Sequence, residues 1–291
     1  MAHKMRRPRR RRAFLPFAAV FVLLVLAGSF LLHYFPAPIF SADTTIHFID
    51  VGQGDCTLFL SEGQAVLIDA GPAEMGERVV SYLASQGVTR LRAVIATHPH
   101  ADHIGSMSTI LAAFPVDTFY TTGAVHTTRT YENLLHMVEA QGVSVLVPTP
   151  GERLELDSGA FFRFLSPPQN ADYDNLNNTS IVCMFEANGT RVLMMGDAEA
   201  PVEQDLLDSG ADIRCHIIRL GHHGSATSSG LDFLKATHAH TAIISCGADN
   251  DYGHPHQQTL VNLNAAVIRD VRSTEKGTIV ITLPKAKENA A

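Results

Sequence analysis

Basic residues are scarce in this chain outside one short run. Of 22 Lys and Arg in 291 residues, seven fall within residues 1–42, which hold no Asp or Glu. The other 15 face all 29 acidic residues, so the chain beyond residue 42 carries a formal charge of −14. Such a balance offers no obvious basic groove for nucleic acid, and any hold on a phosphate backbone would have to come mostly from bound cations. Cysteine is sparse as well. Cys56, Cys183, Cys215 and Cys246 each sit in or beside an apolar run, with no Cys-x-x-Cys pair. They read as buried strand residues, with disulfides open to them outside the cell. There is no P-loop and no Gly-x-Gly-x-x-Gly signature, which leaves nucleotide cradling by a glycine loop without support. Internal repeats are absent too.

What the chain does have begins with its seven N-terminal cations. Lys4, Arg6, Arg7 and Arg9 to Arg12 precede a stretch from Ala13 to Leu32 without a charged residue, long enough to cross a bilayer core. Positive charge stays on the cytoplasmic side, so the bulk of the chain is expected outside the membrane. The organisation read from this is a basic cytoplasmic segment (1–12), a transmembrane anchor or signal (13–35), a linker (36–43) and one domain (44–285). An uncleaved single-pass anchor in the cell membrane is the favoured expectation; a cleaved signal and a secreted protein is the alternative.

The domain alternates strand-like runs with amphipathic helices, a mixed α/β pattern. Runs at Thr45–Val51, Cys56–Leu60 and Ala65–Ile68 precede a helix over Glu77–Gln86 closed by Gly87. After the run Leu91–Ala96, a helix is expected over Ile104–Phe114, then a strand at Val116–Tyr120 and a helix over Tyr131–Gln141. Asn188-Gly189 between two alternating runs is a hairpin signal. Polar residues recur where strands end: Asp69, His98 and His100, Asp197, His222 and His254. If those strands share a polarity, these groups meet on one rim.

The densest group is Ala-Thr-His-Pro-His-Ala-Asp-His-Ile-Gly-Ser, residues 96–106. In extended backbone His98 and His100 project to one side and can grip one ion. Past the turn, Asp102 and His103 arrive from another direction, suited to a second. Imidazole and carboxylate are suitable donors for Zn²⁺, Mn²⁺ or Fe²⁺.

With His-x-His-x-Asp-His in place, the sequence resembles the metallo-β-lactamase superfamily, and in particular its ComEC/Rec2-like competence branch. The branch markers stand as Val51-Gly52-Gln53-Gly54-Asp55, Leu67 to Gly71, Thr97 to Gly105, Met195-Gly196-Asp197, Gly221 to Ser225 and Gly253-His254-Pro255-His256. The resemblance implies a four-layer αββα sandwich with two divalent cations, Zn²⁺ or Mn²⁺, at one sheet edge. It places His98 and His100 on metal 1, Asp102 and His103 on metal 2, and Asp197 between them. His222 is the expected last ligand, with His223 turned away. His254, a strand later, competes for that role or serves substrate contact or proton transfer; Asp102, His254 and His222 are the catalytic candidates. Asp69 would orient ligands, while Asp55 and Ser225 would support the site or meet substrate. The third metal-1 histidine common in the superfamily is missing from Asp174–Ser180. Asn178 is its expected replacement, a weaker donor that would leave metal 1 loose.

The implied activity is hydrolysis by a metal-bound hydroxide, first of phosphodiesters in nucleic acid or a small phosphoester. Two alternatives stay open: a lactone, β-lactam or thioester hydrolase, and a non-catalytic DNA- or protein-binding domain related to competence. One span cannot form a DNA pore, so a competence role would need a separate membrane channel as partner.

Overall fold

The computed structural model describes residues 43–283. The basic segment, the span 13–35 and all but the last residue of the linker lie outside these residues. Among the described residues no helix is long and apolar enough to cross a membrane.

The described chain opens with an antiparallel trio, β1 (Thr44–Phe48), β2 (Thr57–Ser61) and β3 (Gln64–Ile68). Helix α1 (Gly76–Ser85) then leads to β4 (Leu91–Ile95), which pairs parallel to β3. β5 (Val116–Tyr120) and β6 (Ser144–Leu146) continue in parallel, with α4 (Arg129–Gln141) between them. Two short helices, α2 (Ala101–Ile104) and α3 (Met107–Ala113), occupy the β4–β5 connection. One continuous helix over 104–114 is expected there, but the chain breaks at Gly105. The Gly105 backbone is pressed against the Pro72–Ala73 segment, where a Cβ would stand 2.4 Å from the Ala73 nitrogen. The Ser106 N–H donates to Gly71 O instead of continuing a helical ladder.

The second half repeats the scheme. β7 (Arg153–Glu155), β8 (Phe161–Ser166), β9 (Val182–Ala187) and β10 (Thr190–Met194) form an antiparallel meander. The Asn188-Gly189 hairpin joins the last two, with both residues at positive φ. β11 (Ile217–Arg219), β12 (Thr241–Ile244) and β13 (Asp270–Ser273) then add in parallel, linked by α5 (Ala200–Asp208), α6 (Leu231–Thr237) and α7 (Gln257–Ala265). β14 (Ile279–Leu283) returns to pair with β1. Two seven-stranded sheets result, in the orders β14-β1-β2-β3-β4-β5-β6 and β13-β12-β11-β10-β9-β8-β7. β7 and β13, at the outer ends of the second sheet, are short and largely exposed.

Side chains alternate across a strand, so each sheet has two apolar faces to bury. Phe59 of the first sheet meets Phe162 and Phe185 of the second, at ring separations of 4.9 and 4.7 Å. Such aromatic pairs add about 0.5–1.5 kcal/mol each beyond their buried area. Leu58, Leu67 and Val94 face outward to Val79 and Leu83 of α1 and Leu134 and Val138 of α4. On the far side Leu193 and Ile218 cover Val202, Phe233 and Leu263 of α5, α6 and α7. The layers are therefore helix, sheet, sheet, helix. All four cysteines are buried and free.

Parallel pairing fixes the polarity that matters. β3, β4 and β5 end at the same edge as one another, and so do β10, β11 and β12 in the partner sheet. Ligands of open α/β sheets gather at such carboxyl ends.

Candidate metal centre

The site is built from the loops that leave these strand ends. Asp69 follows β3, and its carboxylate is fully saturated by neighbours. Oδ1 accepts the Thr97 N–H at 2.9 Å, and Oδ2 accepts the Thr97 hydroxyl at 2.7 Å and His103 Nδ1 at 2.8 Å. A carboxylate only accepts here, so Nδ1 of His103 carries a proton and Nε2 faces the cluster. That Nε2 lies 3.2 Å from Asp197 Oδ1, 3.3 Å from His223 Nε2 and 3.8 Å from Asp102 Oδ2.

His223 is set up the same way from the other sheet. Its Nδ1 stands 2.8 Å from the carbonyl of Ser245, an acceptor only, so Nδ1 carries a proton and Nε2 points inward. It meets Asp102 Oδ2 at 3.1 Å and Asp197 Oδ2 at 3.3 Å. Asp102, His103, Asp197 and His223 thus bring four donor atoms within 4.8 Å of one another. His98 Nε2 also approaches Asp197 Oδ2, at 3.8 Å, and lies 3.0 Å from His100 Nδ1.

This donor set fits divalent cations. The imidazole Nε2 atoms and the carboxylate oxygens converge on one another, an approach that is favourable only with a proton or a cation between them. Asp197 Oδ1 is buried without a hydrogen-bond partner. The titration behaviour agrees. Burial alone would lower the pKa of His103, but Asp197, Asp69 and Asp102 overcome it and hold the ring well above its ordinary value. Burial opposes charge on His223 too, yet Asp197 and Asp102 push it up to about 9. Asp197 is buried and Asp102 is about one-third exposed; desolvation would raise both, but His103 and His223 hold both below the usual carboxylate range. The cluster demands positive charge at its centre. His98 differs: burial and the neighbouring His103 lower it well below the ordinary range, leaving a neutral donor.

The two histidines of Gly221–Gly224 exchange their expected places. This 3-10 turn bends through left-handed backbone, His222 at φ 48° and His223 at φ 55°. The tight bend sends the adjacent rings in different directions. His223 enters the cluster, while His222 Nδ1 bonds Glu199 Oε1 at 3.0 Å. The other Glu199 oxygen accepts the Asn175 amide at 2.8 Å. His222 Nε2 faces Asn177 at 3.4 Å, on a side chain one-quarter exposed. Asn178 is likewise not placed as a ligand, because its Oδ1 accepts the Glu199 N–H at 3.0 Å and so ties the Asn175–Ser180 segment to the loop after Asp197. Ser225 is buried, with its hydroxyl 3.0 Å from Thr227 Oγ1. His254 packs beside His222 and His223 at ring separations of 5.7 and 6.1 Å.

One residue in the centre has no counterpart among the sequence candidates. Arg219, on β11, is wholly buried. Its Nη2 pairs with Asp55 Oδ2 at 2.7 Å, and Nη1 donates to Gly196 O beside Asp197. Arg219 reads in sequence as a break in the apolar run Ile217–Leu220, and nothing in that spacing marks it. Asp55 itself is brought in by Gly54, whose φ of 146° and bare Cα let the turn touch the Asp102 carbonyl; a Cβ there would sit 2.4 Å from that oxygen.

Comparison with known proteins matches these features. Residues 49–248 match the family model described as metallo-beta-lactamase superfamily. The chain is 32% identical to ComE operon protein 3 of Bacillus subtilis over 268 residues, covering 86% of this chain and 34% of that protein. Recombination protein 2 of Haemophilus influenzae is 30% identical, with 78% of this chain and 27% of that protein covered. The chain therefore spans about a third of the length of these curated relatives, which are competence proteins of the ComEC/Rec2 type. In fold it is similar to the metallo-beta-lactamase fold protein YhfI of Bacillus subtilis. The TM-score is 0.55 at 15% identity, over 82% of this chain and 99% of that one.

Proposed function

Because the chain belongs to the metallo-β-lactamase superfamily and carries a metallo-hydrolase's His/Asp cluster, we propose that it is a two-metal hydrolase of phosphodiester bonds. The observation that carries this reading is the convergence of Asp102, His103, Asp197 and His223, with His98 and His100 beside Asp197. His98 and His100 would hold one ion and Asp102, His103 and His223 the other, with Asp197 shared. When bound, a pair of Zn²⁺ or Mn²⁺ ions supplies a Lewis acid and lowers the pKa of water.

The chain's own residues do the rest. Asp69 and the Ser245 carbonyl hold Nδ1 of His103 and His223, so it is Nε2 of each ring that faces the cluster and would take up an ion as its proton leaves. Glu199 accepts the Nδ1–H of His222, whose side chain is one-quarter exposed, and the doubly protonated ring anchored in this way would deliver its Nε2 proton to a leaving oxygen. The names of the relatives, competence and recombination proteins, favour nucleic acid as the source of the phosphodiester. Location follows the sequence alone: the Arg-rich start and the uncharged stretch 13–32 support a membrane anchor with the catalytic domain outside the cytoplasm. A separate channel protein in the same membrane would be the partner for a competence role.

The test is metal analysis of the purified protein together with cleavage of an oligonucleotide in Mn²⁺ and in Zn²⁺. Two equivalents of metal and turnover, abolished by Asp102→Ala, are the expected result. Binding of metal without cleavage of any phosphodiester, alongside turnover of a lactone or thioester, would replace the substrate class.

A further inference from the structure

The loop after β12 carries a largely exposed aromatic ring. Tyr252 is 66% exposed. Its ring lies 5.6 Å from that of His254, tilted by only 17°. His254 in turn lies 6.1 Å from His223 at 26°. Three offset, near-parallel rings therefore run from the metal cluster out to solvent, and Tyr252 is the outermost.

The loop is also stiffened. Asn250 spans it, giving its Nδ2 to Gly247 O at 2.9 Å and His254 O at 2.7 Å and accepting the His254 N–H at 2.9 Å. Gly247 is tied to the β1–β2 turn through Gln53 Oε1 at 3.3 Å, and His256 Nε2 holds Tyr252 O at 3.2 Å. An exposed ring held in place is ready to receive a flat partner without a large ordering cost.

Charge sharpens the choice of partner. Beyond residue 42 the chain has 15 Lys and Arg against 29 Asp and Glu. Such a balance gives a polyanion few ion pairs beyond those to bound cations, so affinity for a strand needs a second source. Resting on the phosphodiesterase reading above, we propose that Tyr252 is a stacking platform for a base of a single-stranded nucleic acid, one or two nucleotides from the bond to be cut. Every base offers a π-face, so the platform selects unpaired strands without selecting sequence.

The full chain, loaded with Ca²⁺ to suppress turnover, is titrated with a fluorescein-labelled single-stranded oligodeoxynucleotide. Tyr252→Ala should weaken binding roughly 5- to 150-fold, the range for losing one stacked base, and Tyr252→Phe should stay within about twofold of wild type. Between 50 and 200 mM salt, conditions over which ionic contacts weaken strongly, the ratio of the two affinities should hold constant. A base-free sugar–phosphate oligomer should bind wild type and Tyr252→Ala equally. Equal binding of the base-bearing strand by both proteins would overturn the platform, and a mononucleotide binding as tightly as the oligomer would overturn the assignment to a strand. Because binding is read without turnover, a wild-type protein that cleaves no phosphodiester sinks the hydrolase reading while this comparison still decides the role of Tyr252.

Discussion

Replacing Arg219 by Met is the sharpest probe of how the centre is held. The guanidinium is wholly buried, pairs with Asp55 at 2.7 Å and approaches Asp197 to 3.8 Å. Asp55 is itself only 2% exposed, and its second oxygen already lacks a hydrogen bond. Met keeps the apolar stem but removes the cation that this carboxylate pairs with. Breaking one side of a buried ion pair costs about 3–5 kcal/mol, well above the value of a surface pair. For a domain of this size each kcal/mol lowers the melting temperature by about 2–4 °C, so Arg219→Met should melt roughly 6–20 °C below wild type in EDTA. Adding Asp55→Asn removes the stranded charge, so the double variant should recover part of the loss, a coupling of about 0.5–3 kcal/mol. The lost cation also leaves the cluster more anionic, so saturating Mn²⁺ should raise the melting temperature of Arg219→Met more than that of wild type. Paired thermal melts by circular dichroism, with EDTA and with Mn²⁺, read all three. If Arg219→Met melts within about 2 °C of wild type, or the double variant is no better than the single, the buried pair is not what secures this edge.

The two adjacent histidines separate by readout. His223→Ala should lose bound metal as well as turnover, whereas His222→Ala should keep its metal content and lose about 10²- to 10⁴-fold in kcat, the usual worth of a positioned proton donor; metal analysis beside kinetics distinguishes them, and metal loss in His222→Ala would reverse the two roles. Glu203 gives a pH signature. It is buried and accepts the Ser229 and Gly230 N–H groups at the start of α6, and burial, partly offset by those bonds, raises its pKa from 4.5 to about 7. The folded state then binds more protons than the unfolded one between about pH 4.5 and 7, so stability contributed by the protonated form is present below that window and lost as pH rises through it. The stability of wild type relative to Glu203→Gln should fall across the window by on the order of 3 kcal/mol and be level above pH 7; a difference that stays constant with pH would show that Glu203 titrates normally.

Most of the fold and half of the centre could be read from local pattern. Alternating apolar runs bounded by glycine placed the central strands well, because those strands are buried on both faces and their sequence has no freedom to be otherwise. His98, His100, Asp102 and His103 were equally legible, since one turn after β4 holds all four and their spacing is the geometry. What pattern could not supply is anything decided by a partner from the other half of the chain. Arg219 is such a case: its charge makes sense only beside Asp55, 164 positions earlier, and in sequence it merely interrupts Ile217–Leu220. Glu199 is another, two residues past Asp197 and unremarkable until His222 arrives against it.

The His222–His223 exchange shows the limit most exactly in physical terms. Periodicity assigns a side chain's direction from its neighbours only while the backbone stays in a strand or a helix, with periods of 2 or 3.6. Gly221 to Gly224 does neither, because His222 and His223 both take left-handed backbone that few side chains adopt. In that conformation adjacent rings are free to part, and what chooses between them is the acceptor each finds: the Ser245 carbonyl at the end of β12 for His223, the Glu199 carboxylate for His222. Two identical side chains are thereby sorted by their hydrogen-bond partners, one turned to the cluster and one to the solvent edge. Substituting the acceptor tests this without touching either ring. Glu199→Gln keeps the size and one oxygen, so His223 and its metal should be unaffected while His222 loses its charged anchor; a variant that loses metal as well would mean that the turn, and not the acceptors, sets both directions.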